Sequence, residues 1–127
     1  MNYLHPPNQQ LYYKQVWVLV RQVPYGRVVT YGQITKILRQ PDDISAEDYQ
    51  MSASRWVGLA MSACPDDVPW HRVINSQGKI SHKSEAGNQK QLLEREGILF
   101  SQEKLDLNEH QWCGPGQSDD PMHGRLF

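Results

Sequence analysis

The sequence predicts a small, mainly helical domain with a winged-helix-like helix-turn-helix and a minor β element. Three observations carry that expectation. Apolar residues recur at helical spacing in stretches beginning near Leu11, Tyr31 and Ser52. The extended segments are short and bounded by Pro, Gly, Asn and Ser. A chain of 127 residues suffices for one hydrophobic core and not for two.

Between Leu11 and Val23, residues Tyr12, Val16, Leu19, Val20 and Val23 fall at i, i+4, i+7, i+8 and i+11, one stripe of an amphipathic helix. Pro24-Tyr25-Gly26 ends it, and Val28-Val29 suits a short extended stretch. Thr30-Tyr31-Gly32-Gln33 has the spacing of a capping box, so a second helix starts there, with Ile34, Ile37 and Leu38 on its buried side. Pro41 stops it before an acidic loop that runs to about Tyr49. A third helix follows, capped by Ser52 or Ser54, with Arg55 and Trp56 near its start and Val57, Ala60 and Met61 facing inward. The connection is long for a helix-turn-helix.

Beyond Pro65 the chain reads as a loop through Pro69-Trp70-His71-Arg72-Val73-Ile74, a turn at Asn75–Gly78 and a short strand or arm at Lys79-Ile80-Ser81. Gln89–Glu96 is a short helix closed by Gly97. Ile98-Leu99-Phe100 and Leu105-Asp106-Leu107 are two small strands or core plugs, and Trp112 closes the fold. The expected organisation is an N-terminal extension at 1–10, one domain at 11–112, and a polar, turn-rich, flexible tail at 113–127.

Mean hydropathy is −0.67 and no apolar run approaches a membrane span. No basic segment followed by an apolar one opens the chain, so a cytoplasmic location is expected. Cys64 and Cys113 form neither a disulfide framework nor a metal clip, and the five histidines lack ligand spacing; no metal is expected. The formal charge of −1 hides an uneven distribution. Residues 1–40 net +5, residues 41–50 net −4, residues 51–90 net +2 and residues 91–127 net −4. A basic face is therefore available to a polyanion.

The run Val68-Pro69-Trp70-His71-Arg72-Val73-Ile74-Asn75, with Tyr31 and Ser54-Arg55-Trp56-Val57-Gly58-Leu59-Ala60-Met61, closely resembles the DNA-binding domain of O6-alkylguanine-DNA alkyltransferases. Those enzymes carry Pro-Cys-His-Arg-Val, whose cysteine takes the alkyl group from a flipped guanine; here Trp70 stands at that position. This substitution marks the alkyltransferase-like proteins, which bind O6-alkylguanine and direct it to nucleotide excision repair. The resemblance runs from about Leu11 to Trp112.

The chemistry agrees with that reading. Alkyl transfer needs a thiolate, and an indole offers neither a titratable proton nor a suitable lone pair. It offers a broad apolar face for an extruded purine. The resemblance places Tyr31, Trp70, Val73, Ser81 and Lys83 around the lesion, Lys83 standing where some relatives carry an arginine over the base. Thr30, Tyr31, Gln33, Arg55, Trp56 and Gly58 would meet DNA. Arg55 matches the finger that fills the base stack, and Tyr31 the residue that crowds the target's 3′ phosphate. Trp56, in place of a usually polar residue, is read as a stacker on DNA or a contact with the longer loop. Gly58 and Ala60 would let the helix approach the minor groove. His71 and Glu96 match the pair that activates the cysteine, and without a thiol they are structural remnants.

The resemblance thus implies a non-enzymatic lesion sensor and a monomer. Its partners would be damaged duplex DNA and excision-repair proteins, without membrane or cofactor, and it would be nucleoid-associated if bacterial. Two rivals remain: a helix-turn-helix transcription regulator, which would prefer one undamaged sequence, and an alkyltransferase using Cys64 or Cys113, which would take label from methylated DNA.

Overall fold

Asn8 opens the first helix by accepting the Leu11 N–H on its side chain, and α1 runs Gln9–Arg21, starting two residues ahead of the expected boundary. The computed structural model describes residues 6–38, 40–41, 44–80 and 86–115. Ser81, Lys83, the first five residues and the tail from residue 116 lie outside them. All five residues of the expected stripe on α1, Tyr12, Val16, Leu19, Val20 and Val23, are buried.

β1 (Val29–Thr30) leads directly into α2 (Tyr31–Ile37). The capping box is present in both directions: the Gln33 N–H donates to Thr30 Oγ1 at 3.0 Å, and the Thr30 N–H to Gln33 Oε1 at 3.4 Å. Of the apolar side expected for α2, Ile34 is buried and Leu38 half-buried, but Ile37 is exposed because the helix stops there and Leu38 turns extended.

α3 (Ala46–Ser62) is longer than expected and begins earlier. Its cap is Ser45, which accepts the Asp48 N–H at 3.1 Å, so neither Ser52 nor Ser54 caps it. Acidic residues read as loop composition, yet Glu47 and Asp48 stand in the first turn, where the helix dipole favours negative charge. Residues 46–51 are therefore helix, and Arg55 and Trp56 lie in its middle.

α3 packs on α1 and α2 through an aromatic trio. Trp56 is completely buried, edge-on to Tyr12 at 5.5 Å and to Tyr49 at 5.9 Å. The Tyr49 hydroxyl donates to the Thr35 carbonyl, which leaves Tyr12 to donate to Tyr49 across 3.0 Å. The reading of Trp56 as a DNA-facing stacker is overturned, while its contact with the segment read as loop is real, through Tyr49.

After a single 3-10 turn (Trp70–Arg72), β2 (Val73–Ile74) pairs in parallel with β1, Val29 opposite Val73 and Thr30 opposite Ile74. Of the short strand or arm expected at Lys79-Ile80-Ser81, Lys79 and Ile80 are not in a strand, and Ser81 lies outside the described residues. Asn75 instead folds the chain back, its side chain accepting the N–H groups of Gln77 and Lys79. Gly78 completes that turn with φ +78°, and a Cβ there would lie 2.7 Å from the Leu105 carbonyl oxygen. α4 (Ala86–Arg95) ends in a Schellman motif at Gly97, the Ile98 N–H reaching Leu93 O and the Gly97 N–H reaching Glu94 O. Segments 98–100 and 105–107 are plugs, with Ile98 and Leu105 joining Val28, Ile74 and Leu93 in a second cluster. α5 (Leu107–His110) then leads to Trp112, which is buried and donates its N–H to Val28 O at 2.7 Å.

Replacing Trp56 by alanine is expected to lower stability by about 3–5 kcal/mol, the usual cost of emptying a large aromatic site. Urea denaturation measures it; a loss under 1 kcal/mol would mean that the trio does not organise the core.

Candidate nucleic-acid interface

Five elements and a loop converge on one cavity of about 560 Å³. Tyr31 enters from the start of α2, Met61 and Ser62 from the end of α3, Cys64, Pro65 and Asp66 from the following loop, Trp70 and Val73 from the 3-10 turn and β2, and Asn88 and Gln89 from α4. The volume is within the range of small-ligand sites. Both aromatic residues are half-buried and pack on the main core, so their exposed parts are held in place.

Tyr31, Trp70 and Val73, expected around the lesion, thus meet in one cavity, and Ser81 and Lys83 lie outside the described residues. Sequence reasoning missed Ser62, Pro65, Asp66, Asn88 and Gln89, read Met61 as core only, and treated Cys64 as incidental. None of these belongs to a recognisable pattern. They meet because the chain returns to the same place after α3 and again in α4. Gln89 is fixed there by donating to the main-chain oxygens of His71 at 3.0 Å and Val73 at 2.9 Å.

Beneath the cavity sits an ionic hub. Glu96, whose side chain is only 6% exposed, accepts from His71 Nε2 at 2.6 Å, from Arg72 Nε and Nη2, and from the Gly26 N–H at 2.8 Å. Burial disfavours its charge, but Arg72, the Gly26 N–H and His71 together hold the carboxyl below its ordinary range. An ionised carboxylate only accepts, so His71 Nε2 carries the hydrogen. Arg72 also donates to Val23 O at 2.9 Å and lies over the Tyr25 ring. The expected His71–Glu96 pair is therefore present, and Arg72, unremarked within the motif, completes it.

Cys64 is the one thiol at the cavity wall among the described residues. Burial above all, and then the carboxylates of Asp66 and Asp67, push that thiol up against the pull of Arg21. A nucleophilic cysteine needs the opposite environment.

Outside the cavity, α3 presents Arg55, Gly58 and Ser62 on one line, since residues at i, i+3 and i+7 share a helical face. Arg55 is exposed and stands about 10 Å along the helix from Ser62. A Cβ on Gly58 would meet no atom within 4 Å, so this glycine does not serve helix packing and leaves the outer surface open. Ala60, in contrast, is buried in the core and its carbonyl accepts from Trp17 Nε1. Thr30 and Gln33, expected as DNA contacts, also make hydrogen bonds within the fold. Thr30 is buried with its hydroxyl in the cap, and the Gln33 amide is engaged with Thr30, Gln111 and the Trp112 carbonyl. Both hold Tyr31 at the helix start.

Fold and site define a small helix-turn-helix domain with a base-sized cavity at the end of its second motif helix. Residues 11–98 match the 6-O-methylguanine DNA methyltransferase, DNA binding domain, and the chain belongs to that family as an alkyltransferase-like member. It is 40% identical over 102 residues to a DNA base-flipping protein of Vibrio parahaemolyticus, covering 77% of this chain and 92% of the relative. To alkyltransferase-like protein 1 of Schizosaccharomyces pombe it is 40% identical over 111 residues, or 80% and 94% of the two chains. The structure of that yeast protein, Atl1, with damaged DNA containing O6-carboxymethylguanine superimposes with a TM-score of 0.66 at 37% identity, over 81% of this chain and 95% of that one. A mouse methylated-DNA–protein-cysteine methyltransferase is 35% identical over 106 residues, but the match spans only 46% of its length.

Glu96→Gln is expected to cost about 3 kcal/mol at pH 7, because Arg72 is left buried without its counter-charge. A depressed carboxyl stabilises the fold above its ordinary value near pH 4.3, and that contribution is lost as pH falls through the folded value. The gap between wild type and variant in urea denaturation should therefore narrow below about pH 4. A gap independent of pH would show that the charge of Glu96 is not what matters.

Proposed function

We propose that this protein is a non-enzymatic sensor of O6-alkylguanine in duplex DNA. It rotates the modified nucleotide into the Tyr31–Trp70 cavity, leaves the alkyl group in place and flags the site for nucleotide excision repair. The observation that carries the proposal is the position of the cavity at the end of the exposed Arg55–Gly58–Ser62 face of α3. A helix laid in the minor groove by that face brings Arg55 to the base stack and the cavity mouth to the adjacent nucleotide. A planar guanidinium can stack in the vacated space and hydrogen-bond to the orphaned base, while Tyr31 and Trp70 supply apolar surface for the extruded purine.

Loss of chemistry follows from the same residues. Trp70 carries no nucleophile, and Cys64 is held as a neutral thiol in a wall that raises its pKa. The relatives named for base flipping, and the yeast relative solved with damaged DNA, support the reading. The protein would act as a cytoplasmic monomer whose product is a marked lesion, read by repair proteins through the nucleotide it holds out.

Competition binding at fixed salt between matched duplexes with guanine or O6-methylguanine tests this, with the DNA recovered afterwards to assay the methyl group. The expected result is preference for the modified duplex, an intact lesion, and a roughly ten- to hundredfold loss of that preference in Arg55→Ala and in Tyr31→Ala. Equal affinity for both duplexes, or transfer of the methyl group to protein, would overturn it. The repair step is tested separately by incision of an O6-alkylguanine plasmid by reconstituted excision nuclease; the protein should raise the incision rate.

A further inference from the structure

The described residues that line the cavity carry little charge. Among the described lining residues Asp66 is the one carboxylate, and none is a lysine, arginine or histidine. Asp66 makes no ion pair or hydrogen bond among the described residues. Arg21 pairs with the neighbouring Asp67, through Nε at 2.9 Å and through a second nitrogen at 3.1 Å. That pair also tethers the loop to α1, which keeps Asp66 on the cavity side. The field of the two carboxylates reaches the interior, since both contribute to raising the Cys64 thiol.

A base extruded into this cavity shares it with whatever its O6 atom carries. We propose that Asp66 makes the site discriminate by charge among O6 adducts, favouring neutral or cationic substituents and disfavouring those that carry a carboxylate. The inference rests on the lesion-binding reading above and adds to it the class of adduct. Like charges in a partly enclosed site repel more than in bulk water, and exposure of Asp66 keeps the effect moderate and sensitive to salt.

The test uses the full chain and four duplexes of one sequence, holding guanine, O6-methylguanine, O6-carboxymethylguanine or its neutral amide, O6-carbamoylmethylguanine. Fluorescence anisotropy gives the affinity of wild type and of Asp66→Asn for each, at low and high salt. The wild type is expected to bind the amide roughly fivefold more tightly than the carboxylate, with the gap shrinking at high salt and closing in Asp66→Asn. Asp66 lies on the surface outside both hydrophobic clusters, so the variant should keep the wild-type melting temperature. Equal affinity of the wild type for amide and carboxylate overturns the inference, as does a gap that survives Asp66→Asn. In both cases continued preference for O6-methylguanine leaves the lesion-binding reading standing. Loss of that preference in wild type overturns the reading and the inference together.

Discussion

The carboxylate of Glu96 is the constraint on which the site depends. It lies at the end of α4, yet its partners come from the turn after α1 and from the 3-10 turn that carries Trp70. Three segments far apart in sequence are held by one buried charge, and none of the three is a long helix or strand able to hold itself in place. Gln89 adds a second tie from α4 to the main chain of the same turn. In an alkyltransferase such a pair would serve proton transfer. Here the pair ties the end of α4 to the turn that carries Trp70, whose ring meets that of His71 edge-on.

α3 carries the other half of the design by presenting two unlike faces. Its inner face, Tyr49, Ser52, Ala53, Trp56, Val57 and Ala60, is buried against α1 and α2. The outer face keeps Arg55, a glycine with open space around it and a serine. Because Trp56 locks the inner face, the neighbouring Arg55 must point outward, since successive helical residues are separated by about 100°. The arginine's direction is thus a consequence of core packing.

Among the described residues, the cavity has two aromatic side chains, Tyr31 and Trp70, and one acidic one, Asp66, in its wall. The thiol of Cys64 in that wall is discouraged from ionising, first by burial and then by the neighbouring carboxylates. The polar residues at the start of α2 follow a similar logic. Thr30 and Gln33 bond to each other in the cap, and Gln33 also donates to the Trp112 carbonyl, which fixes the start of the helix at Tyr31.

Much of this was legible in the sequence alone. The α1 stripe, the capping box at Thr30, the turn at Asn75–Gly78, the glycine stop at Gly97 and the motif around Trp70 are local features, in which neighbouring residues satisfy each other's hydrogen bonds or share a face. Of the residues the motif pointed to, Tyr31, Trp70 and Val73 line one cavity, and His71 and Glu96 are hydrogen-bonded to each other. Tertiary structure alone decided the fate of Trp56, whose surroundings are set by Tyr12 of another helix, and the start of α3, where Glu47 and Asp48 gain from the helix dipole what composition alone assigns to a loop. It alone decided the pairing of β1 with β2, and the gathering of Cys64, Asp66 and Gln89 at one wall. Local pattern records which bonds a residue can make with its neighbours, whereas burial and charge depend on distant segments that only the folded chain brings together.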